Sequence, residues 1–320
     1  MAEIEGLTVT YAPVRGVPIR ALSGATLAIH SGQAIGILGE SGCGKSTLAA
    51  AILGILPMYV RYESGRIFFR GQDLRTFSEA DWQRIRGCGV SLIGQDPALS
   101  LNPVMRVGDQ IAEVLRAHDR GGSNRKGAAE HCLEEVGLPR ETYYAYPHQL
   151  SGGQRQRVAI AQAIACRPAL VIADEATSKL DPETQAEIMA LLKEIRGRHD
   201  TAFLIISHDP LVLAGFVERI AVMYAGSIVE EGSTADIFQR PLHPYTETLV
   251  ALAKEAALGT ANRGARLMTL PGEPANPTRL PTGCRFEPRC QERMAVCSTC
   301  DPQDFTPGPD RRVRCFKYDN

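Results

Sequence analysis

The stretch that most constrains this chain is Gly39-Glu40-Ser41-Gly42-Cys43-Gly44-Lys45-Ser46-Thr47, set between the apolar run Ala34-Ile35-Gly36-Ile37-Leu38 and the helical run Leu48 to Leu53. A buried strand, a glycine-rich turn and a helix opening at Lys45 read as a phosphate cradle. Glycines let successive backbone N–H groups turn inward on an anion, and the helix N-terminus adds its positive dipole end. In that frame Lys45 reaches the β- and γ-phosphates of a nucleotide, and the Ser46 hydroxyl ligates Mg²⁺.

Three further apolar strands end in polar residues at their C-terminal ends, which is where parallel α/β sheets bind ligands. Gly89 to Ile93 delivers Gln95 and Asp96, Ala169 to Ala173 ends in Asp174 and Glu175, and Thr201 to Ser207 presents His208. Beside a phosphate site, Asp174 suits the waters of Mg²⁺, and Glu175 suits the orientation or deprotonation of an attacking water. Taken singly, Gln95 also reads as a turn residue, the Asp174-Glu175 pair as helix caps, and His208 as structural. Leu150-Ser151-Gly152-Gly153-Gln154 opens the helical run Arg155 to Ile164, either as a simple Ser N-cap or as a second anion-attracting helix N-terminus. Asp181-Pro182 starts a helix running to about Arg198, an N-cap followed by proline.

Around this frame the pattern changes. Leu7 to Tyr11 and Ala25 to Ile29 alternate like an antiparallel hairpin or small sheet, and Tyr11 at its end is either a strand-edge aromatic or a ring that stacks on a base. Gly65 to Gly71 reads as a strand between two turn glycines, the helix after the phosphate loop is expected to stop near Leu56-Pro57, and Glu79 to Arg86 is helical. From about Pro97 to Ala165 the periodicity is helical, with Val104 to His118 and Lys126 to Val136 separated by the polar break Asp119 to Asn124. Arg219 to Tyr224 and Ser227 to Glu231 form a hairpin around Ala225-Gly226, and Ser233 caps a short helix.

A length of 320 residues allows one large domain plus an appendage, or two modest domains. With 35 basic against 36 acidic residues the net charge is −1, so nothing global favours nucleic acid. No apolar run approaches a membrane span and the first residues lack a signal-peptide pattern, so the chain is expected to stay in the cytosol. Of nine cysteines, Cys284, Cys290, Cys297, Cys300 and Cys315 crowd the tail. In a reducing compartment such a cluster reads as metal-binding.

Taken in order, these motifs resemble the nucleotide-binding subunit of an ABC transporter, over roughly residues 3–255. The resemblance rests on the Walker A loop at 39–47, Gln95 as the Q-loop glutamine, the signature Leu150 to Gln154, the Walker B strand ending in Asp174 and Glu175, the D-loop Ser178-Lys179-Leu180-Asp181, and the switch His208. It implies an α/β P-loop NTPase fold with an antiparallel β subdomain, a helical subdomain at about 97–165 and, beyond an ATPase domain ending near 240, a cysteine-rich extension over 241–320. It implies that Tyr11 stacks on adenine, that Gly39, Ser41, Gly42, Cys43, Gly44, Lys45, Ser46 and Thr47 hold the nucleotide, and that Ser46, Gln95 and Asp174 hold Mg²⁺. Lys45, Gln95, Glu175 and His208 are then the catalytic set. Ser151, Gly152, Gly153 and Gln154 close over the ATP of a second, head-to-tail subunit. Two departures stand out: Ala176 where the family usually has proline, and Lys179 in place of a small D-loop residue. The lysine suggests a non-identical partner ATPase.

His243-Pro244-Tyr245 and Gly283-Cys284-Arg285-Phe286-Glu287-Pro288-Arg289-Cys290 are similar to the C-terminal extension of the oligopeptide/dipeptide importer branch. That resemblance implies two membrane permease subunits, an extracytoplasmic binding protein and residence on the cytoplasmic face of the membrane. In that branch such cysteines can hold a [4Fe–4S] cluster; the matching positions are Cys284, Cys290, Cys297 and Cys315, with zinc as the competing metal and Cys300 a spare thiol. A non-transport ABC ATPase acting on nucleic acid or ribosomes is the rival reading, opposed by the neutral charge and by the tail.

Overall fold

The structure is a computed structural model and describes residues 1–13, 16–257, 270 and 272–319. Of the Pro/Gly-rich linker expected around Pro271 to Pro274 and Pro277 to Pro281, only Pro271 lies outside the described residues. The strands are β1 (Ala2–Tyr11), β2 (Ile19–Ile29), β3 (Ala34–Leu38), β4 (Val60–Phe69), β5 (Gln72–Asp73), β6 (Val90–Ile93), β7 (Leu170–Asp174), β8 (Ala202–Ser207), β9 (Arg219–Tyr224), β10 (Ser227–Ser233), β11 (Phe305–Gly308) and β12 (Arg311–Val313). The α-helices are α1 (Lys45–Leu53), α2 (Glu79–Ile85), α3 (Pro97–Ser100), α4 (Val107–Ala117), α5 (Arg125–Glu135), α6 (Gly152–Ile164), α7 (Pro182–His199), α8 (Pro210–Ala214), α9 (Thr234–Gln239) and α10 (Pro244–Ala257).

One compact unit gathers Met1–Ala28, Ile35–Arg75 and Ser207–Asn320. It contains a four-stranded sheet of order β2-β1-β4-β5. Along β1 the buried apolar residues are Ala2, Ile4, Leu7 and Val9. Even spacing breaks after Ile4, where the pairing of β1 with β4 shifts register between Glu5 and Thr8. Gly65 sits opposite that irregularity with φ +87°, and a Cβ there would stand 2.5 Å from the Glu5 carbonyl oxygen. Gly65 therefore does not bound a strand, as its sequence context suggests; it lies inside β4 because only glycine tolerates so close a backbone crossing. In the same unit β3, with all five residues buried, runs parallel to β9, and β9 and β10 form the expected hairpin around Ala225-Gly226. Helix α1 ends earlier than the proline at 57 predicts: Gly54 at φ 63° turns the chain back and donates to the carbonyls of Ala50 and Ala51.

The tail does more than follow the sheet. Strand β12 pairs with β10, Glu230 opposite Val313 and Glu231 opposite Arg312, and β11 pairs with β12. Arginines bridge this junction: Arg311 to Glu230 at 3.0 Å and Arg312 to Glu231 at 2.7 Å, while Arg219 takes the other oxygen of Glu231 at 2.7 Å. Glu230 and Glu231 are buried, so these pairs neutralise carboxylates that would otherwise be costly inside the unit.

The other compact unit gathers Ile29–Ala34 and Thr76–Ile206. Its strands β6, β7 and β8 are parallel neighbours in that order, with Ile93 opposite Ala173 and Asp174 opposite Ile206. The region after Pro97 is helical, as the periodicity predicts, with α4 packing on α5 and α6. Helices α6 and α7 open where their caps predict: Ser151 accepts from the Gln154 N–H in a capping box, and Asp181 accepts from the Thr184 N–H. Among the described residues no helix is long and apolar enough to cross a membrane.

Candidate functional site

The loop between β3 and α1 has the backbone that phosphate binding needs. Gly42 and Gly44 take φ +79° and +108°, and a Cβ on Gly44 would lie 2.5 Å from the Ala21 carbonyl oxygen. Gly39 is equally confined, since its Cβ would meet the Met223 carbonyl oxygen at 2.3 Å. Lys45 is buried, and its ammonium donates to the carbonyls of Gly39 at 2.8 Å and Glu40 at 2.9 Å. The cation is thus held back over the mouth of the loop instead of extending into solvent. Ser41, Gly42 and Ser46 are exposed, and the Thr47 hydroxyl lies 3.3 Å from the Tyr11 hydroxyl. Cys43 is buried, its N–H donates to the Glu40 carbonyl at 3.3 Å, and burial raises its thiol above the ordinary range against the pull of Lys45.

Glu40, which carries no role in the sequence reading, is the most restrained residue of the loop. The Arg289 guanidinium donates to both of its carboxylate oxygens, at 2.7 and 3.1 Å. Its N–H donates to the Tyr245 hydroxyl at 2.9 Å, and its carbonyl takes the Lys45 ammonium. Burial opposes the charge on Arg289, but the hydrogen bonds to Glu40 and Tyr224 outweigh it and hold the guanidinium firmly ionised. Tyr245 belongs to the His-Pro-Tyr motif and is fully buried in an aromatic cluster with Tyr224 at 4.8 Å and Phe286 at 5.4 Å between ring centroids. Phe286 and Arg289 lie between Cys284 and Cys290. The tail therefore grips the phosphate loop through one ion pair and one hydrogen bond, and the aromatic cluster fixes the Tyr245 that makes the second. No local pattern points to this, because Arg289 and Glu40 are 249 residues apart.

In the same unit His208 is exposed just beyond β8. The four predicted metal thiols also lie in this unit. Burial raises Cys284 to about 11; the Phe286 N–H pulls it back, and Cys297, Cys315 and Cys290 push it up further. Burial likewise raises Cys290 and Cys315, each opposed by the N–H two residues on, from Glu292 and Lys317. The Met294 N–H points to the Cys297 sulfur at 3.5 Å. Each of the four sulfurs is met by a backbone N–H, while burial works against the thiolate form of Cys284, Cys290 and Cys315. Cys300 is exposed and pairs only weakly with the Thr299 hydroxyl, at 3.7 Å.

The other unit holds the remaining predicted residues. Gln95 and Glu175 meet directly, amide nitrogen to carboxylate oxygen at 3.0 Å. Glu175 adopts φ 47°, and its N–H donates to the Ile206 carbonyl at 3.0 Å, so the side chain is aimed by a strained backbone held by β8. Asp174 is half-buried at the end of β7, and Ala176 is buried. Lys179 forms a 2.6 Å ion pair with Asp96, which gives the unusual D-loop lysine a partner inside its own chain. At the start of α6, Ser151, Gly152 and Gln154 are exposed, and a Cβ on Gly153 would come within 2.8 Å of Thr184.

Comparison with known proteins gives a consistent picture. A family model described as ABC transporter matches residues 22–178, and one described as oligopeptide/dipeptide transporter, C-terminal region, matches 229–297. The chain is 41% identical to the oligopeptide transport ATP-binding protein OppD of Salmonella typhimurium, over 99% of this chain and 93% of that one. It is 38% identical to the dipeptide transport ATP-binding protein DppD of Bacillus subtilis, over 99% and 94%. Among solved structures it resembles the dimeric, ADP- and phosphate-bound ATP-binding cassette MJ0796, with a TM-score of 0.65 and 30% identity over 73% of this chain and 99% of that one.

Proposed function

The chain belongs to the ABC transporter family of ATP-binding proteins, in the branch that carries the oligopeptide/dipeptide C-terminal region, and from that membership we propose that it powers import of peptides or related small solutes. The carrying observation is the cradle itself, with left-handed glycines at 42 and 44 and a buried Lys45 held over its mouth. It is an ATPase that uses ATP with Mg²⁺. In the proposed site Lys45 and the N–H groups of 39–47 hold the phosphates, Tyr11 stacks on adenine, and Ser46, Gln95 and Asp174 hold the metal. Glu175 orients or deprotonates the attacking water, a role supported by its contact with Gln95. His208 contacts the γ-phosphate.

With one cradle and one signature per chain, the proposed working form is a dimer in which Ser151 to Gln154 of one ATPase close over the nucleotide of the other. A non-identical partner ATPase is proposed, although Lys179 lends this less support once paired with Asp96. Two permease subunits and an extracytoplasmic binding protein complete the proposed assembly, with this chain on the cytoplasmic face of the membrane. The proposed tail group is a [4Fe–4S] cluster on Cys284, Cys290, Cys297 and Cys315, supported by the N–H groups that face their sulfurs and by the separate setting of Cys300. Anaerobic purification tests it: iron, sulfide and visible absorption are expected, and a colourless protein with one zinc would replace it. The transport reading is tested by tagging the chain and recovering it from membranes in mild detergent, where permease subunits and a second ATPase are expected to accompany it. Recovery with nucleic acid or ribosomes would refute it.

A further inference from the structure

Among the described residues, Cys88, His118 and Cys166 bring two thiols and an imidazole together, their donor atoms all within 4.8 Å of one another. They belong to none of the nucleotide motifs and are separate in sequence from the tail cysteines. We propose that they form a second metal site, for a single soft divalent cation of the Zn²⁺ class, that ties the helical insertion to the strand carrying Gln95.

Each donor sits at a chain reversal. Cys88 is the middle of Gly87-Cys88-Gly89, a tight turn into β6 in which the Gly87 N–H donates to the Val90 carbonyl at 2.8 Å and the Gly89 N–H to the Ile85 carbonyl at 2.7 Å. His118 caps the C-terminus of α4, and Cys166 follows the C-terminus of α6. Two helix C-termini thus direct their partial negative charge to the same place, which favours a cation. Gly87, at φ +91°, is what admits the imidazole: a Cβ there would lie 2.6 Å from the His118 Nε2.

The donor set fits zinc better than a harder ion, since thiolate and imidazole are its preferred ligands. Ligands on a tetrahedral zinc stand roughly 3.5–3.8 Å apart for bond lengths of about 2.0–2.3 Å. The half-buried Cys88 and His118 are the two donors that must close from within 4.8 Å to that range. On binding, both thiols release their protons to solvent, and water fills the fourth position. Without a metal, burial and then the hydrogen-bonded Cys88 thiol raise the Cys166 thiol to about 12, with Arg120 pulling the other way, so the cation is what would displace these protons. Since β6 runs from Cys88 at one end toward Gln95 beyond the other, the cation would fix the insertion and that strand as one body without touching nucleotide.

The test uses the full chain, purified reduced and anaerobically, with zinc and cobalt(II) as probes and the tail cysteines intact in every sample. Wild type is expected to bind one metal ion more per chain than Cys88→Ser. The half-exposed His118→Gln, which poses little folding risk, should weaken that ion's affinity at least tenfold. Zinc should raise the unfolding midpoint of wild type by more than that of either variant. Equal metal content and equal zinc response in all three proteins would overturn the proposal.

Discussion

Breaking the contact between Arg289 and Glu40 should weaken ATP binding, although neither side chain belongs to a recognised nucleotide contact. Loss of one partner of a fully buried ion pair costs about 3–5 kcal/mol. Here the Arg289 side chain is 4% exposed and that of Glu40 23%, so a stranded carboxylate can recruit water, and about 2 kcal/mol is the better figure for Arg289→Met. The opposite variant, Glu40→Gln, removes the charge but leaves the two contacts made by the residue's backbone, to Tyr245 and Lys45. Part of the loss should appear as loop disorder that ATP must repay, lowering affinity about five- to tenfold, or roughly 1–1.4 kcal/mol. Fluorescent-nucleotide titration of wild type, both single variants and the double variant gives the coupling energy directly. A coupling of about 1 kcal/mol or more is expected, and one below about 0.5 kcal/mol, or unchanged affinity with a lowered unfolding midpoint, would refute the claim that the tail grips the phosphate loop.

Glu175→Gln should lower ATP turnover at least about 100-fold while nucleotide affinity is kept, because the amide still meets Gln95 but cannot act as a base; turnover within about threefold of wild type would reassign the base. His243 is buried, and burial, then Lys317, lowers it from 6.5 to about 3. Its stabilising effect is therefore complete above pH 6.5 and is lost as pH falls toward 3, at up to about 1.4 kcal/mol per pH unit. Urea midpoints at pH 7 and 5 should show this slope, His243→Asn should flatten it, and identical slopes would contradict it. Gly65→Ala forces a Cβ to 2.5 Å from a backbone oxygen at φ +87° and should cost about 2–3 kcal/mol in unfolding free energy; an unchanged midpoint would show that β1 and β4 can shift apart.

What the sequence made legible was local. The cradle at 39–47, the acids that end β7, the caps at Ser151 and Asp181 and the hairpin at Ala225-Gly226 each depend on neighbours within a few residues, so pattern and turn chemistry suffice. Gly65 misled because a glycine in a turn and a glycine beneath a crossing strand look alike until the partner at Glu5 to Leu7 is in place. Strands β11 and β12 were hidden because they are short and exist by pairing with β10, whose buried Glu230 and Glu231 find their arginines in the tail. The role of Glu40 was illegible for the same reason: its partners Tyr245 and Arg289 lie in a segment whose sequence advertises cysteines. Cys88, His118 and Cys166 have no ligand spacing along the chain, and only the meeting of two helix ends with the turn before β6 makes them a set.

The central claim, that this chain turns ATP hydrolysis into solute import, is tested most directly on the complex recovered from membranes and reconstituted in lipid vesicles. Peptide uptake that requires ATP on the side of this chain, and that falls with ATPase activity when Glu175→Gln is introduced here alone, is the predicted result. Hydrolysis that proceeds without vesicle uptake, or uptake indifferent to Glu175→Gln, would contradict the account.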